Sequence, residues 1–254
     1  MDHRIASELK RIESENGIKI LYSVQAGSRS WGFPSPKSDY DIRFIYKHHM
    51  DWYLSLDKKP DVIEEQAGTD LELSGWDLKK ALTLYKKSNS TMLEWLNTRE
   101  RLVADPLFCE KILPLQAELF SAVACYHHYL SMSKSNWNKW KKDSLKSTKL
   151  TLHLLRGVLC CIWIKEHDAF PPVNFKTLSE GTISDQVIAA ELNSILDLKK
   201  SGEETIGLEV DSLYSFINLA MEKLLEEAPT FSERQKISNE VLNEVFRSLV
   251  KSEG

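Results

Sequence analysis

Asp39 and Asp41 flank a single tyrosine in Asp39-Tyr40-Asp41-Ile42-Arg43, and Ala26-Gly27-Ser28-Arg29-Ser30 stands a short way upstream. In an extended chain the side chains at i and i+2 share a face about 6.5–7 Å apart, so two such carboxylates can converge on the same divalent cations. Gly27 allows a sharp turn and close approach of backbone to a ligand. The N–H groups around Gly27 and Ser28, with the Ser28 hydroxyl, can receive phosphate oxygens. A phosphate cradle beside paired carboxylates points to metal-dependent nucleotide chemistry. Mg²⁺ or Mn²⁺ prefers the carboxylate and phosphate oxygens this segment supplies. Two such ions roughly 3.5–4 Å apart would activate a hydroxyl and neutralise charge on a phosphoryl group in transfer. Arg43 is third in the row of Asp39 and Asp41, and Arg29 lies in the turn; both are candidates to bind nucleotide phosphates, with a solvated loop cation the plainer reading of Arg29.

Two apolar, β-branched runs, Ile18 to Val24 and Ile42 to Tyr46, read as strands on either side of this linker. Ile5, Leu9 and Ile12 share one helical face ahead of Gly17, which predicts an amphipathic helix covering the sheet. A helical turn is expected near Met50 to Leu54, strands near Val62 to Gln66 and Thr69 to Leu73, and a helix capped by Asp77. Strand signals vanish from about Pro106, and Ile112 to Leu130, Ser144 to Glu166 and Val210 to Leu225 show helical periodicity. Pro171-Pro172 marks the largest break among these helices. The expected class is α+β: a mixed sheet flanked by helices over residues 1–100, followed by an all-α domain over 101–254.

Composition sets few further limits. The net charge of −4 over 254 residues gives no global attraction to nucleic acid, so a polynucleotide would need a local basic surface. Cys109, Cys125, Cys160 and Cys161 lack paired metal spacing and sit in apolar helical surroundings, which predicts buried reduced thiols. Met1-Asp2-His3-Arg4 carries no apolar signal core, and no stretch approaches the roughly 18 apolar residues of a membrane span, so a cytoplasmic, membrane-free protein is expected.

The Gly27-Ser28 turn, ten intervening residues and Asp39-Tyr40-Asp41 resemble the motif of the DNA polymerase beta superfamily nucleotidyltransferases. Ser38-Asp39-Tyr40-Asp41-Ile42-Arg43-Phe44-Ile45-Tyr46, Trp52-Tyr53-Leu54 and Gly75-Trp76-Asp77-Leu78-Lys79-Lys80-Ala81-Leu82 look more specifically like the predicted branch associated with RNA repair, as do Asn89 and Glu94-Trp95-Leu96. The resemblance implies a nucleotidyltransferase-type sheet and a third carboxylate just before the Gly-Trp-Asp-Leu segment. That position is Glu72, where the family usually has Asp, and Asp70 on the same strand face is the alternative. The implied reaction is attack by a hydroxyl on the α-phosphorus of an NTP, with pyrophosphate leaving; Asp39 and Asp41 would hold the metal and the third acid would orient or deprotonate the nucleophile. An RNA end is the acceptor the branch favours, while a protein hydroxyl or small metabolite would use the same chemistry. The rival is a catalytically silent nucleotide- or RNA-binding regulator.

Two features of the second half bear on ligands. Lys149, His153 and Arg156 recur at i, i+4 and i+7, so one helix face gathers cations able to reach a triphosphate. Similar Lys and Arg residues in the resembled family support Lys149 and Arg156 as nucleotide ligands; a salt bridge or core histidine is the structural alternative. The segment from Ser131 to Lys142 mixes lysines with Trp137 and Trp140, which could stack bases, though two tryptophans at i and i+3 more commonly pack on a core.

Overall fold

The computed structural model describes residues 3–227, 229–232 and 237–252. Ile5, Leu9 and Ile12 form the buried stripe of α1 (His3–Asn16), and Gly17 ends that helix with φ of +59°. The chain continues through β1 (Ile18–Gln25), α2 (Gly27–Trp31), β2 (Tyr40–His48), α3 (Met50–Tyr53), β3 (Val62–Ala67) and β4 (Leu71–Asp77). There follow α4 (Leu78–Lys86), α5 (Ser90–Asn97), β5 (Arg101–Ala104), α6 (Pro106–Ile112), a 3₁₀ turn at Leu113–Leu115 and α7 (Gln116–Leu119). The remaining helices are α8 (Ala122–Lys142), α9 (Thr148–His167), α10 (Phe175–Glu180), α11 (Gln186–Ser201), α12 (Asp211–Glu226) and α13 (Asn239–Lys251). This is the expected α+β class: a mixed five-stranded sheet flanked by helices, with a helical C-terminal region. The chain forms two compact units, Met1–Ser30 with Asp39–Phe120 and Arg234–Gly254, and Trp31–Ser38 with Ser121–Glu233.

In the first unit the strand order is β3-β4-β2-β1-β5. β2 and β4 run parallel while the other neighbours are antiparallel. Because strand side chains alternate, Ile42, Phe44 and Tyr46 of β2 enter one apolar cluster with Ile5, Leu9 and Ile12 of α1 and Leu71 and Leu73 of β4. Each buried Ile or Leu of that kind contributes about 1.5–3 kcal/mol. Gly75 pairs with Phe44 across the parallel ladder, and a Cβ at residue 75 would fall 2.1 Å from the Phe44 ring. The Gly-Trp-Asp-Leu glycine is thus the space that this ring fills.

Alternation turns Asp41, Arg43, Ile45 and Lys47 to the other face of β2. Lys47 is only 6% exposed. Its Nζ donates to the Leu249 carbonyl at 2.9 Å, the Ser252 carbonyl at 2.6 Å and the Ser252 hydroxyl at 3.0 Å. A cation there meets the orphan carbonyls and the negative end of the α13 dipole. Asp77 caps α4 as its sequence position implies, accepting from the Lys79 N–H at 2.8 Å.

In the second unit α9 is buried nearly all round, from Leu152, Leu154 and Leu155 through Val158, Leu159, Cys160 and Cys161 to Ile164. It packs with α8, α10, α11 and α12, as an apolar helix at the centre of a helical unit should. The thiols of Cys125, Cys160 and Cys161 are buried and that of Cys109 is partly exposed, all in the free form. Trp140 is buried and its indole N–H donates to Thr151 at 3.0 Å; Trp137 donates to Asn218 at 2.8 Å. Both rings are thus bound into helix packing.

The run from Ile112 to Leu130, expected as one helical stretch, is broken in two. Pro114 sits in the 3₁₀ turn, and Phe120 takes extended backbone with ψ of 127° before the Ser121 hydroxyl caps α8. Among the described residues no helix is long and apolar enough to cross a membrane. Replacing Lys47 with Ala removes three charge-assisted hydrogen bonds to the end of α13; urea unfolding should show a loss of about 2 kcal/mol.

Candidate functional site

The site is built where β1 hands over to α2. The Ala26 N–H donates to the Asp41 carbonyl at 2.7 Å, which ties the end of β1 to the start of β2. Gly27 follows with φ of +65°, in the left-handed region. A Cβ on residue 27 would lie 2.1 Å from Asp41 Oδ2, so the Asp41 carboxylate rests directly on the turn. The Ser30 hydroxyl donates to the Gly27 carbonyl at 3.0 Å, closing the turn from the other side.

Asp41 stands opposite Glu72 in the parallel ladder of β2 and β4. Arg43, two residues on and on the same face, joins the two acids. Its Nη2 donates to Asp41 Oδ1 at 3.1 Å and its Nη1 forms an ion pair with Glu72 Oε1 at 2.7 Å. Two carboxylates facing one guanidinium leave the cluster net negative, and the fork of the guanidinium suits them geometrically. Asp39 lies just ahead of β2 and is exposed. The Arg29 guanidinium donates from Nε to the Asp39 carbonyl at 3.2 Å and lies 3.8 Å over the Tyr40 ring, so Arg29 shapes the segment that presents both aspartates.

The candidates separate clearly. Gly27, Asp41, Arg43 and Glu72 come together, with Ser28, Arg29 and Asp39 next to them in the chain. Asp70 lies in the β3–β4 turn, where Arg4 of α1 pairs with it at 2.9 Å and holds its carboxyl below the ordinary value. Lys149 is exposed on α9, whereas Arg156 is 3% exposed. The Arg156 guanidinium lies 4.4 Å over the Trp31 ring, which also meets His153 at 5.1 Å, edge to face, and Phe33 at 5.7 Å. Trp31 is the anchor that sequence reading missed; a tryptophan directly after the turn was its one visible signal.

The donor chemistry suits a hard divalent cation, since every candidate ligand is a carboxylate oxygen. Asp39 and Asp41 are the pair that the sequence leads one to expect as its ligands. Glu72 is the third acid by register, and its carboxylate is turned to Arg43. Among the described residues no group of three or more His, Cys, Asp and Glu side chains stands in metal-holding geometry.

A turn that seats one strand carboxylate, beside a parallel neighbour that supplies another, sits in a mixed sheet of the nucleotidyltransferase type. The chain belongs to the RNA repair pathway DNA polymerase beta family, RlaP, whose model matches residues 1–248. It is 36% identical over 252 residues to the uncharacterized protein YcgL of Bacillus subtilis (strain 168), covering 99% of this chain and 97% of that one. A solved structure of a nucleotidyltransferase-like protein from Exiguobacterium sibiricum 255-15 aligns with a TM-score of 0.35 and 13% identity, over 87% of this chain and 74% of that one.

Gly27→Ala should destabilise the protein more than Gly17→Ala. Both residues have positive φ, but nothing lies within 4 Å of a Cβ at 17. The Gly17 variant therefore reports the left-handed backbone cost alone, about 1–2 kcal/mol, and the excess at 27 in urea unfolding reports the displaced Asp41 carboxylate.

Burial, reinforced by Lys149, Arg156 and Lys199, pushes the His153 imidazole from 6.5 down to about 4. Between those values the unfolded chain binds a proton that the folded chain rejects, so stability falls as pH drops through that window. His153→Phe should flatten this decline in thermal melts taken across the window.

Proposed function

We propose that this protein is a cytoplasmic Mg²⁺- or Mn²⁺-dependent nucleotidyltransferase that transfers an NMP from an NTP to a hydroxyl acceptor, an RNA end being favoured, with release of pyrophosphate. The observation that carries this reading is the joined arrangement of Gly27, Asp41, Arg43 and Glu72. A glycine turn seats one acid, the parallel ladder brings the second opposite, and a guanidinium holds both at fixed spacing. When bound, the metal would supply Lewis-acid stabilisation of the phosphoryl charge and lower the pKa of the attacking hydroxyl. Asp39 and Asp41 are the residues to hold it. The N–H groups of Gly27 and Ser28 and the Ser28 hydroxyl bind phosphate oxygens. Arg43 can pass one N–H edge from carboxylate to phosphate, since both present the same planar pair of acceptors. Glu72, released from Arg43, orients or accepts the proton of the acceptor hydroxyl. Lys149 and Arg156 remain candidates for the triphosphate; Lys149 is exposed and Arg156 is buried.

A second reading draws on the hold of Arg43 on Glu72: the protein binds nucleotide without turning it over, as a regulator would. The two are separated by incubating the protein with Mg²⁺, α-labelled NTPs, a pool of RNA ends and cell extract, beside an Asp39→Ala/Asp41→Ala variant. Transfer of label that falls at least about a hundredfold in the variant supports the enzyme, and the labelled species, whether RNA, protein or metabolite, is the acceptor. Metal-dependent nucleotide binding without transfer supports the silent binder, and the absence of both overturns the nucleotide reading.

A further inference from the structure

Trp52-Tyr53 and Asp77-Leu78-Lys79-Lys80, two segments with no part in the acid site, converge on one cleft of about 460 Å³ in the first unit. Its walls include Trp52, Tyr53, Lys58, Lys59, Lys79 and Lys80. It lies at the far end of the parallel pair: Asp41 and Glu72 face each other at one end of the ladder, Tyr46 and Asp77 at the other. Five residues of strand separate the two places, about 16 Å.

The acids of the cleft are Asp57, Asp61 and Asp77. Asp77 is consumed inside the fold, accepting from the Tyr53 hydroxyl at 2.6 Å as well as capping α4. Asp61 pairs with Lys80 at 2.9 Å. Lys58 and Lys79 are exposed and, among the described residues, make no ion pair. Lys79 and Lys80 occupy the first turn of α4, which holds no acidic residue beyond the Asp77 cap. The aromatic rings are committed as well. Trp52 stacks on His48 at 3.9 Å with Lys59 at 5.3 Å from its ring, and the Tyr53 hydroxyl is bound to Asp77. The cleft therefore offers ammonium groups beside an aromatic wall, one face of Trp52 being taken by His48.

We propose that this cleft is a second binding site, for phosphate groups, and that its ligand is the sugar-phosphate backbone of an RNA strand, held without regard to sequence. Backbone contacts of this kind give affinity and register but carry no base information. The site requires neither the metal nor the NTP of the acid cluster, so its test is independent of nucleotidyl transfer.

The test is fluorescence anisotropy with a fluorescein-labelled single-stranded oligoribonucleotide in EDTA, over a series of salt concentrations, comparing wild type with Lys58→Gln/Lys79→Gln. Both side chains are exposed, so the fold is untouched, and matching thermal melts check this. Loss of two phosphate contacts should weaken binding about tenfold and lower the slope of log affinity against log salt by about 1.4. Equal affinity and slope in the two proteins would overturn the proposal. ATP and inorganic phosphate are titrated in parallel: lysine-dependent binding of these without RNA binding would assign the site to free nucleotide and overturn the strand.

Discussion

The carboxylate of Asp41 occupies space that a methyl group on residue 27 would claim. That contact joins three otherwise separate parts of the first unit: the end of β1, the five-residue α2 and the start of β2. Because the Asp41 carbonyl also accepts from Ala26, the aspartate is fixed through both backbone and side chain. Its neighbours inherit that position. The ladder sets Glu72 opposite, alternation sets Arg43 two residues along, and Arg43 can reach both acids only because they stand level. Gly75 plays a matching part on the reverse face, where the Phe44 ring takes the volume its side chain lacks, so β2 and β4 are pressed together from the side away from the acids.

The β2–β4 pair is electrostatically polar. One end carries Asp41 and Glu72 around a single guanidinium; the other carries four lysines, of α4 and of the loop that leads to β3, against Asp57, Asp61 and Asp77. Parallel strands make this separation natural, since both ladder partners begin at the same end and both finish at the other. A ligand bearing several phosphates would meet opposite local fields at the two ends.

Much of this was legible because it is local. The stripe of Ile5, Leu9 and Ile12 announces α1, and Ile42, Phe44 and Tyr46 announce the buried face of β2. Asp77 reads as a cap from its place before an apolar run, and the Gly-Ser turn with Asp-x-Asp reads as a unit from spacing alone. What sequence could not convey depends on pairing across the chain. Glu72 and Asp70 share a strand face by alternation, and only the register with β2, together with the claim of Arg4 on Asp70, separates them. Arg43 is visibly third in its row, but that it faces Glu72 follows from the parallel ladder. β5, four residues between exposed ends, is too short for a periodic signal and exists because β1 offers an edge. The break at Phe120 escaped because apolar periodicity persists through it while Pro114 and Ser121 set the backbone.

Lys47 grips the carbonyls of Leu249 and Ser252, some two hundred residues away in sequence. The first unit is thus opened by the N-terminal strands and closed by the final helix. On the ribosome the sheet strands emerge early, but the lysine meets its partners only after the whole helical unit has been synthesised. Until then its ammonium stays hydrated and that flank of β2 stays uncovered, so the first unit to appear is the last to be completed.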